Sequence, residues 1–401
     1  MSLAAPKVER DPGPKGDFLH PINSVSKSPL GPGSRSTLGA HSRERIRYFH
    51  SQTIQLKPDT IQAFVSQFKD DAGNDTLFQI RSKEGYPVSY FRKIKTSVCF
   101  DNKCRLLDIV LYWNVTGRYL GYELPEGEFL SKTEHEPFKP AEYARLNDLL
   151  ADPFSPLANF SYEELVPKAD AVASGLDAVS SATSKNVLDY VVEGAVYTTY
   201  KMWHFVYGAA QKEVIKLTEK RLSPGFLLKV LESPDSGDKI WALNHIRGQV
   251  GLTPALRTTV LSFIDNNRFN LAERAIHALS PAELKSDSLQ QLLFEKYPRA
   301  NYSLKNLIVA KLKEAPHLNG SVKTALANAL KSANGELLTN ILDLFRQHRV
   351  SDRETGRIIA GLLQSDNNFL AQKAFIYLKS ANIDDQRVTE QLNAYKTKHH
   401  L

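Results

Sequence analysis

The sequence predicts an α+β domain followed by an all-α region of helical repeats. Two observations carry this prediction. Between Thr96 and Trp113 apolar residues alternate with a period of two, as they do in β-strands. Beyond about residue 210, apolar residues recur every 33 positions in a pattern typical of paired helices. A chain of 401 residues is longer than one ordinary core, so two folded domains are expected.

Residues 1–42 are predicted to be a disordered tail, because they are rich in Pro, Gly and Ser and contain few apolar residues. Gly31-Pro32-Gly33 is not expected to bind a nucleotide, since no strand pattern precedes it and no helix pattern follows. The first residues lack the apolar core of a secretory signal. No apolar run reaches the roughly 18 residues that span a bilayer, so no transmembrane segment is expected.

Residues 43–210 are expected to form the α+β domain. Thr60–Phe68 has apolar residues at helical spacing after Pro58, which predicts a helix. Thr96–Phe100 and Cys104–Trp113 are predicted to be the two strands of a hairpin. The second strand is apolar on both faces, which predicts a central position in the sheet.

Two further helices are predicted in this domain. Pro140–Leu150 spaces its apolar residues for burial on one helix face, and Val187–Tyr207 reads as one long helix. In the second helix, Trp203 and Tyr207 are expected either to fill the core or to contact a bound ring. His135 is expected either at the surface or near such a ring.

Cys99 and Cys104 flank the predicted turn of the hairpin. A two-residue turn at Asp101-Asn102 places them opposite each other at a non-hydrogen-bonded pair, where Cα atoms approach to about 4.5 Å. This geometry fits a cross-strand disulfide and equally fits two reduced thiols, because the redox compartment decides between them. Metal binding is disfavoured, since no second Cys or His pair with ligand spacing lies nearby.

Residues 177–185, Asp-Ala-Val-Ser-Ser-Ala-Thr-Ser-Lys, place four hydroxyl groups just before the predicted helix Val187–Tyr207. The start of a helix has unpaired N–H groups and the positive end of the helix dipole, and it therefore attracts phosphate. A threonine there, Thr183, can also hold a phosphate covalently. Asp177 would repel a phosphate, so we assign it to holding the loop, to recognition by a transferase, or to an ordinary Asx turn.

This motif resembles the flavinylation motif of the FMN-binding domain in the FMN-carrying subunits of sodium-translocating NADH:quinone reductase and of Rnf-type complexes. In that family the pattern is Asp, two variable residues, Ser or Thr, Gly, Ala and Thr, and the last threonine takes FMN through a phosphoester bond. Asp177, Ser180, Ala182 and Thr183 match the pattern, whereas Ser181 stands where the family usually has glycine. The stretch Thr96–Gly208 resembles the same domain.

The resemblance implies FMN as the cofactor, covalently held at Thr183, and a flavin transferase for maturation. It also implies a redox partner protein. The resemblance favours the periplasmic side of the cell envelope, whereas the missing secretory signal favours the cytoplasm, so both locations stay open. The flavin would supply the redox chemistry, so no catalytic side chain is assigned. The implied cofactor-binding residues are Thr183, Ser180, Ser181, Ala182, Ser184, Asp177, Trp113, Thr116, Gly117 and Tyr112.

Residues 211–401 contain a repeat of 33 residues. Three series of apolar positions share this period, and a fourth marks a second helix in each unit. The series are Ala242, Ala275, Ile308, Ile341, Ala374; Leu243, Ile276, Val309, Leu342, Phe375; Ile246, Leu279, Leu312, Phe345, Leu378; and Leu227, Val260, Leu293, Leu326, Ile359, Leu392. A two-helix repeat of this length resembles a HEAT-like α-solenoid, and the Thr-Pro-Leu-His pattern of ankyrin repeats is absent.

Composition and motifs narrow the possible functions. The net charge of +7 comes from basic residues dispersed along the chain, which is more typical of a solvated surface than of a nucleic-acid interface. The sequence has no His-Glu-x-x-His pair, no Gly-x-Ser-x-Gly elbow and no Walker-type loop. The resemblance to the FMN-binding domain implies a flavin-carrying electron-transfer protein, a redox carrier or subunit more than a stand-alone enzyme, whose repeats are expected to dock a partner. Two alternatives remain: a non-redox scaffold with a degenerate FMN-binding domain, and a nucleic-acid-binding repeat protein.

Overall fold

The computed structural model describes residues 45–50, 52–98, 105–132, 135–161, 164–165, 187–265, 268–333 and 335–400. The chain divides into two compact units between Arg221 and Leu222. We call them the sheet unit and the helical unit. An antiparallel sheet with helices comes first and helices alone follow, which confirms the predicted α+β and then all-α layout.

The sheet unit contains six antiparallel strands in the order β1-β6-β5-β4-β3-β2. Strands β2 to β6 follow one another as a meander, and β1 pairs with β6 at one edge. The strands are β1 Arg47–Phe49, β2 Pro58–Val65, β3 Thr76–Ser82, β4 Pro87–Thr96, β5 Leu107–Asn114 and β6 Tyr119–Glu123. The central position predicted for the strand ending near Trp113 is confirmed, because β5 lies between β4 and β6.

Both faces of β5 are buried, as its sequence predicts. Leu107, Ile109, Leu111 and Trp113 join the larger core, which lies between the sheet and the helices. On the other face, Val110 and Tyr112 join a smaller aromatic core with neighbours on β3, β4 and β6. This alternation follows from the two-residue period of a strand.

The helix predicted over Thr60–Phe68 is wrong, because most of this segment is strand β2. The apolar spacing of Ile61, Phe64 and Val65 fits a helix, but an eight-residue segment is too short for periodicity alone to decide. β2 pairs along its length with β3 at the sheet edge, and Pro58 is its first residue, a position that tolerates proline. The side chain of Val65 is 82% exposed, so the expected apolar helix face is not a buried face.

The helices of the sheet unit are α1 Pro140–Leu150, α2 Val196–Val206 and α3 Ala209–Glu219. Helix α1 has the predicted bounds. Helix α2 begins nine residues later than the predicted start at Val187, after a 3₁₀ turn at Leu188–Tyr190 and a turn in which Gly194 has a φ of +72°. A φ of this sign is incompatible with a right-handed α-helix, so no continuous helix can cross Gly194.

The helical unit contains eleven helices in the part of the chain that the structure describes, starting with α4 Pro224–Leu231. Ten of them form five pairs, each with a first (A) helix and a second (B) helix. The A helices are α5 Ser236–Asn244, α7 Phe269–Ala278, α9 Tyr302–Lys313, α11 Gly335–Gln347 and α13 Asn368–Ala381. The B helices are α6 Pro254–Ser262, α8 Asp287–Phe294, α10 Gly320–Ala329, α12 Arg353–Gly361 and α14 Gln386–His399. In both series the first residues are 33 apart, which confirms the predicted period.

Helices of the same type pack on one another from pair to pair. Each A helix contacts the next A helix from α5 to α13, and α8, α10, α12 and α14 form a matching row of B helices. The four apolar series fill the space between the rows. Their members are buried except Phe375 and Leu392, which are only partly buried.

A further 33-residue series caps the B helices and was not recognised in the sequence. The residues before these helices are Thr253, Ser286, Asn319, Asp352 and Asp385. Each side chain accepts a hydrogen bond from a backbone N–H in the first turn of its helix. Ser, Thr, Asn and Asp are the preferred residues at this position, so the signal was present in the sequence.

Candidate functional site

The motif predicted to hold FMN lies outside the described residues. This applies to Asp177, Ser180, Ser181, Ala182, Thr183 and Ser184. Cys99 and Cys104 also lie outside them. The described residues closest to the motif in sequence are Leu165 and Val187, and both are fully buried in the larger core of the sheet unit.

The turn between β5 and β6, expected near the flavin, is packed and internally bonded. The side-chain oxygen of Asn114 accepts hydrogen bonds from the backbone N–H and hydroxyl of Thr116 at 3.0 and 2.9 Å. Gly117 has a φ of +82°, and a Cβ there would lie 2.7 Å from Ile215 of α3. Its carbonyl accepts a hydrogen bond of 2.9 Å from Gln211. Thr116 and Gly117 therefore form a turn closed against α3.

Trp113 and Tyr112 lie on opposite faces of the sheet. The Trp113 side chain is fully buried, and its indole N–H donates to the carbonyl of Val206 at 2.9 Å. The hydroxyl of Tyr112 donates to Glu123 at 2.8 Å in the smaller core. Burial and the Glu123 carboxylate raise the pKa of Tyr112 far above its usual value. These two residues are thus not brought together, and Trp113 fills the core.

Trp203 and Tyr207 pack between α2 and α1. The Trp203 indole donates to the carbonyl of Asp152 at 2.9 Å, and the Tyr207 hydroxyl donates to that of Leu150 at 2.8 Å. Their rings lie 4.7 Å apart. Both therefore take the core role that was one of the two expectations. His135 is exposed and has a φ of +63°.

A cleft of about 320 Å³ lies on the helix side of the sheet unit. We call it the α2 cleft, because that helix contributes four of its lining residues. Its lining residues are Phe68, Asp70, Asp71, Tyr200, Lys201, His204, Phe205, Gly208 and Ala209. The first three come from the loop after β2, which is far from α2 in sequence.

The loop side of the α2 cleft is held by a buried arginine on β4. Arg92 has no exposed side-chain surface and donates to both carboxylate oxygens of Asp70, at 2.7 and 2.8 Å. It also donates to the carbonyl of Asn74 at 2.6 Å, and its guanidinium lies 4.1 Å from the centre of the Phe68 ring. A bidentate pair of this kind fixes orientation as well as distance. Arg92 therefore fixes the positions of the Phe68 and Asp70 side chains.

The helix side of the α2 cleft presents an aromatic pair and a cation. The rings of Tyr200 and His204, one turn apart, have centres 4.2 Å from each other. The Tyr200 hydroxyl donates to the carbonyl of Phe160 at 2.9 Å. Lys201 donates to the carbonyl of Ser97 at 2.6 Å and pairs with Asp71.

Partial burial favours the neutral form of His204. Burial lowers its pKa below the usual value, and the carbonyl of Leu157, 3.3 Å from its Nε2, only partly offsets that effect. The two carboxylates of the α2 cleft are each paired with a cation, Asp70 with Arg92 and Asp71 with Lys201. The charges in the cleft therefore balance, and the cleft suits a planar, mostly uncharged ring better than a phosphate.

The sequence did not indicate Tyr200, Lys201 and His204 as site residues. The i, i+4 spacing of Tyr200 and His204 on α2 was available as a signal, but Trp203 and Tyr207, which pack against the core, have the same spacing. Only the loop fixed by Arg92 distinguishes the two pairs.

A scan against protein-family models finds no match, and a search of curated proteins finds no similar sequence. None of the helices that the structure describes combines the length and apolar character needed to cross a membrane. Over the same residues, no three His, Cys, Asp or Glu side chains are grouped so as to hold a metal ion.

Proposed function

We propose that the sheet unit carries FMN esterified to Thr183 and that the isoalloxazine ring binds in the α2 cleft against Tyr200 and His204. The observation that carries this proposal is the shared core. Leu165 and Val187, on either side of residues 166–186, are buried in the same apolar core as Phe68 and Phe205, which line the cleft. The motif is therefore attached to the part of the unit that contains the cleft.

Chain length supports the same assignment. Thr183 precedes Val187 by four residues, and an extended chain spans at most about 3.6 Å per residue. Its Cα is thus within about 14 Å of that of Val187, whatever path the chain takes. A ring on a flexible ribityl chain extends the reach further into the helix side of the unit.

The chemistry of the α2 cleft fits the ring and not the phosphate. Ligand pockets usually measure about 300–1,000 Å³, and at about 320 Å³ the α2 cleft is near the lower end of that range, which favours one ring system over a whole nucleotide. Lys201, the cation among the described lining residues, is already paired with Asp71. We therefore assign the phosphate to the hydroxyl groups of the motif, with Ser180, Ser181 and Ser184 as donors.

FMN, when bound, supplies one- and two-electron redox chemistry. The residues of this chain bind the ring, orient it through Tyr200 and His204, and limit water around it. Lys201, held in its pair with Asp71, would line the site beside the ring. No side chain has to transfer a proton for electron transfer alone.

We assign the helical unit to partner docking, as a HEAT-like α-solenoid. Helix starts 33 residues apart and the two packed rows of helices support this assignment. The partner would be the protein that exchanges electrons with the flavin. A location on the periplasmic side of the envelope follows from the family resemblance alone.

The decisive experiment produces the chain together with a flavin transferase and measures the intact mass and the fluorescence of the denatured polypeptide. We expect covalent flavin in the natural chain and in Thr258→Ala, a matched control at an exposed threonine of α6, and none in Thr183→Ala. Colour that disappears on denaturation would indicate noncovalent FMN. A colourless chain that does not bind added FMN would overturn the flavin proposal and favour the non-redox scaffold.

The position of the ring has its own test. His204→Leu removes half of the aromatic pair in the α2 cleft, so we expect covalent flavin at the natural level with a shifted absorption maximum and reduction potential. His135→Leu, an exposed change, is the control and should shift neither. Equal spectra and potentials for all three proteins would place the ring outside the α2 cleft.

A further inference from the structure

A second cleft lies within the helical unit, between two consecutive pairs of helices. It measures about 310 Å³ and is formed where α6 leads into α7 and where α8 leads into α9. We call it the pair cleft. Its main lining side chains are Asp265, Phe269, Lys296, Arg299, Asn301 and Leu304.

The repeat itself supplies a comparison for the pair cleft. Phe269 and Tyr302 are the first residues of consecutive A helices and occupy the same repeat position. The hydroxyl of Tyr302 accepts a hydrogen bond of 3.3 Å from the backbone N–H of Leu337 in the next A helix. Phe269 has no hydroxyl to make that bond, and 40% of its surface is exposed.

The cations of the pair cleft are also particular to this step of the repeat. Lys296 and Arg299 correspond, 33 residues later, to Ala329 and Ser332. Neither replacement carries a charge. The pair cleft is therefore not a general consequence of stacking helix pairs, because the next step has a different aromatic contact and no basic residues at these positions.

The charges in the pair cleft do not balance. Lys296 is paired with Asp265, the one carboxylate among the described lining residues. Arg299 is exposed and has no ion-pair or hydrogen-bond partner within the ranges that the structure describes. An arginine of this kind favours a planar anionic group such as a carboxylate.

We propose that the pair cleft binds a short acidic segment of a partner protein, in which one aromatic side chain packs on Phe269 and a neighbouring carboxylate pairs with Arg299. The mixed lining of apolar and basic groups fits this pattern and fits neither a purely apolar nor a purely charged segment. The inference rests on the proposed docking role of the helical unit and is independent of flavin attachment.

The test uses the whole chain and a fluorescein-labelled peptide, Asp-Glu-Phe-Asp-Glu, followed by fluorescence anisotropy. We expect Arg299→Ser, which copies the next repeat, and Phe269→Ser each to weaken binding about fivefold or more. Arg274→Ser and Phe369→Ser change exposed residues of the same types on other parts of the A helices. These controls should bind the peptide as the natural chain does.

Three outcomes would overturn the proposal. They are absence of peptide binding by the natural chain, equal binding by all five proteins, and tighter binding of oligothymidine that is lost in the same two variants. The last would assign the pair cleft to nucleic acid. If Phe269→Ser lowers the midpoint of unfolding, its weaker peptide binding could reflect lost stability, and the proposal is then judged on peptide binding by Arg299→Ser alone. If protein without bound flavin still binds the peptide, the flavin proposal has failed and the proposal for the pair cleft has not.

Discussion

The sheet unit and the helical unit are each stabilised internally, by different kinds of polar contact. In the sheet unit, buried hydrogen bonds join residues that are far apart in sequence, as from Trp113 to Val206 at 2.9 Å and between Tyr90 and Thr218 at 2.9 Å. In the helical unit they join neighbouring helix pairs. The difference implies that the sheet unit unfolds as one body, whereas the helical unit can open at a single step.

The bonds between helix pairs follow the repeat. A long side chain in each of three consecutive B helices reaches the residues that cap the next B helix. Gln290 accepts from the N–H of Asn319 at 2.8 Å, Lys323 pairs with Asp352 at 2.7 Å, and Arg357 pairs with Asp385 at 2.7 Å. Each of these three contacts spans only one step, so it mainly stabilises its own neighbours.

The largest loss of stability is expected when one buried isoleucine in each unit is changed to alanine, which leaves a cavity of similar size in each core. Ile109 in β5 and Ile308 in α9 are both fully buried, and each change to Ala should cost about 3–4 kcal/mol of unfolding free energy locally. In hydrogen–deuterium exchange, Ile109→Ala should raise exchange in all the central strands. Ile308→Ala should raise it in α7, α9 and α11 and leave α14 near its original rate. Uniform exchange throughout the helical unit would contradict the contrast between the units.

A smaller effect is expected from the buried ion pair of the sheet unit. Asp70→Asn leaves the Arg92 charge buried without its partner, which should cost about 2–3 kcal/mol, less than for a fully buried pair because Asp70 is partly exposed. The control is Asp343→Asn in α11, where the exposed pair with Arg346 should be worth less than about 0.5 kcal/mol. Urea denaturation followed by tryptophan fluorescence measures both. Similar losses would show that burial of Arg92 is not what distinguishes the pairs.

The contrast between contacts of neighbouring repeats and contacts of distant residues also explains which parts of the fold the sequence predicts. The sequence predicts the 33-residue spacing of the helices in the helical unit. The position of Ile308 occurs in five repeats, and the residue there is apolar in every one. Helix α1 is also predicted to the residue, since Pro140 favours the first helical position. In these cases local signals and tertiary packing agree.

The sheet unit departs from prediction where a decisive partner is far away in sequence. Strand β2 follows its pairing with β3 and not the helical spacing of its apolar residues. Helix α2 is shorter than predicted because the backbone before it leaves the helical conformation, at Val191 and again at Gly194. The α2 cleft depends on Arg92 holding Asp70 opposite Lys201, and no pattern along the sequence brings these three residues together.

Two partly buried histidines, one in each unit, allow a test of whether the units unfold independently as the pH changes. Burial lowers the pKa of His204 and of His348, and a backbone carbonyl 3.3 Å away only partly opposes it in each case. The unfolded chain therefore binds protons at about pH 6.5 before the folded chain does. Their contribution to stability is complete above that pH and decreases as the pH falls below it.

His204→Phe should remove this acid sensitivity from the sheet unit alone, and His348→Phe from the helical unit alone. Differential scanning calorimetry from pH 7.5 to 5 can resolve the two transitions. If either variant changed the pH dependence of both transitions, the units would unfold as one and the contrast between them would fail.

The smallest effect is expected at one contact between B helices. Burial raises the pKa of Asp352, but hydrogen bonds from Lys323 and Thr355 outweigh it, and the net pKa is below the usual value. The contribution of this carboxylate is therefore present above about pH 4 and is lost as the pH falls further. Asp352→Asn keeps a good helix cap and removes only the charge, so we expect a loss below about 1 kcal/mol at pH 7 and a weaker pH dependence between 4 and 2. Exchange should rise only in α10 and α12; a rise that reached α5 would mean that even a single step couples the whole row of helices.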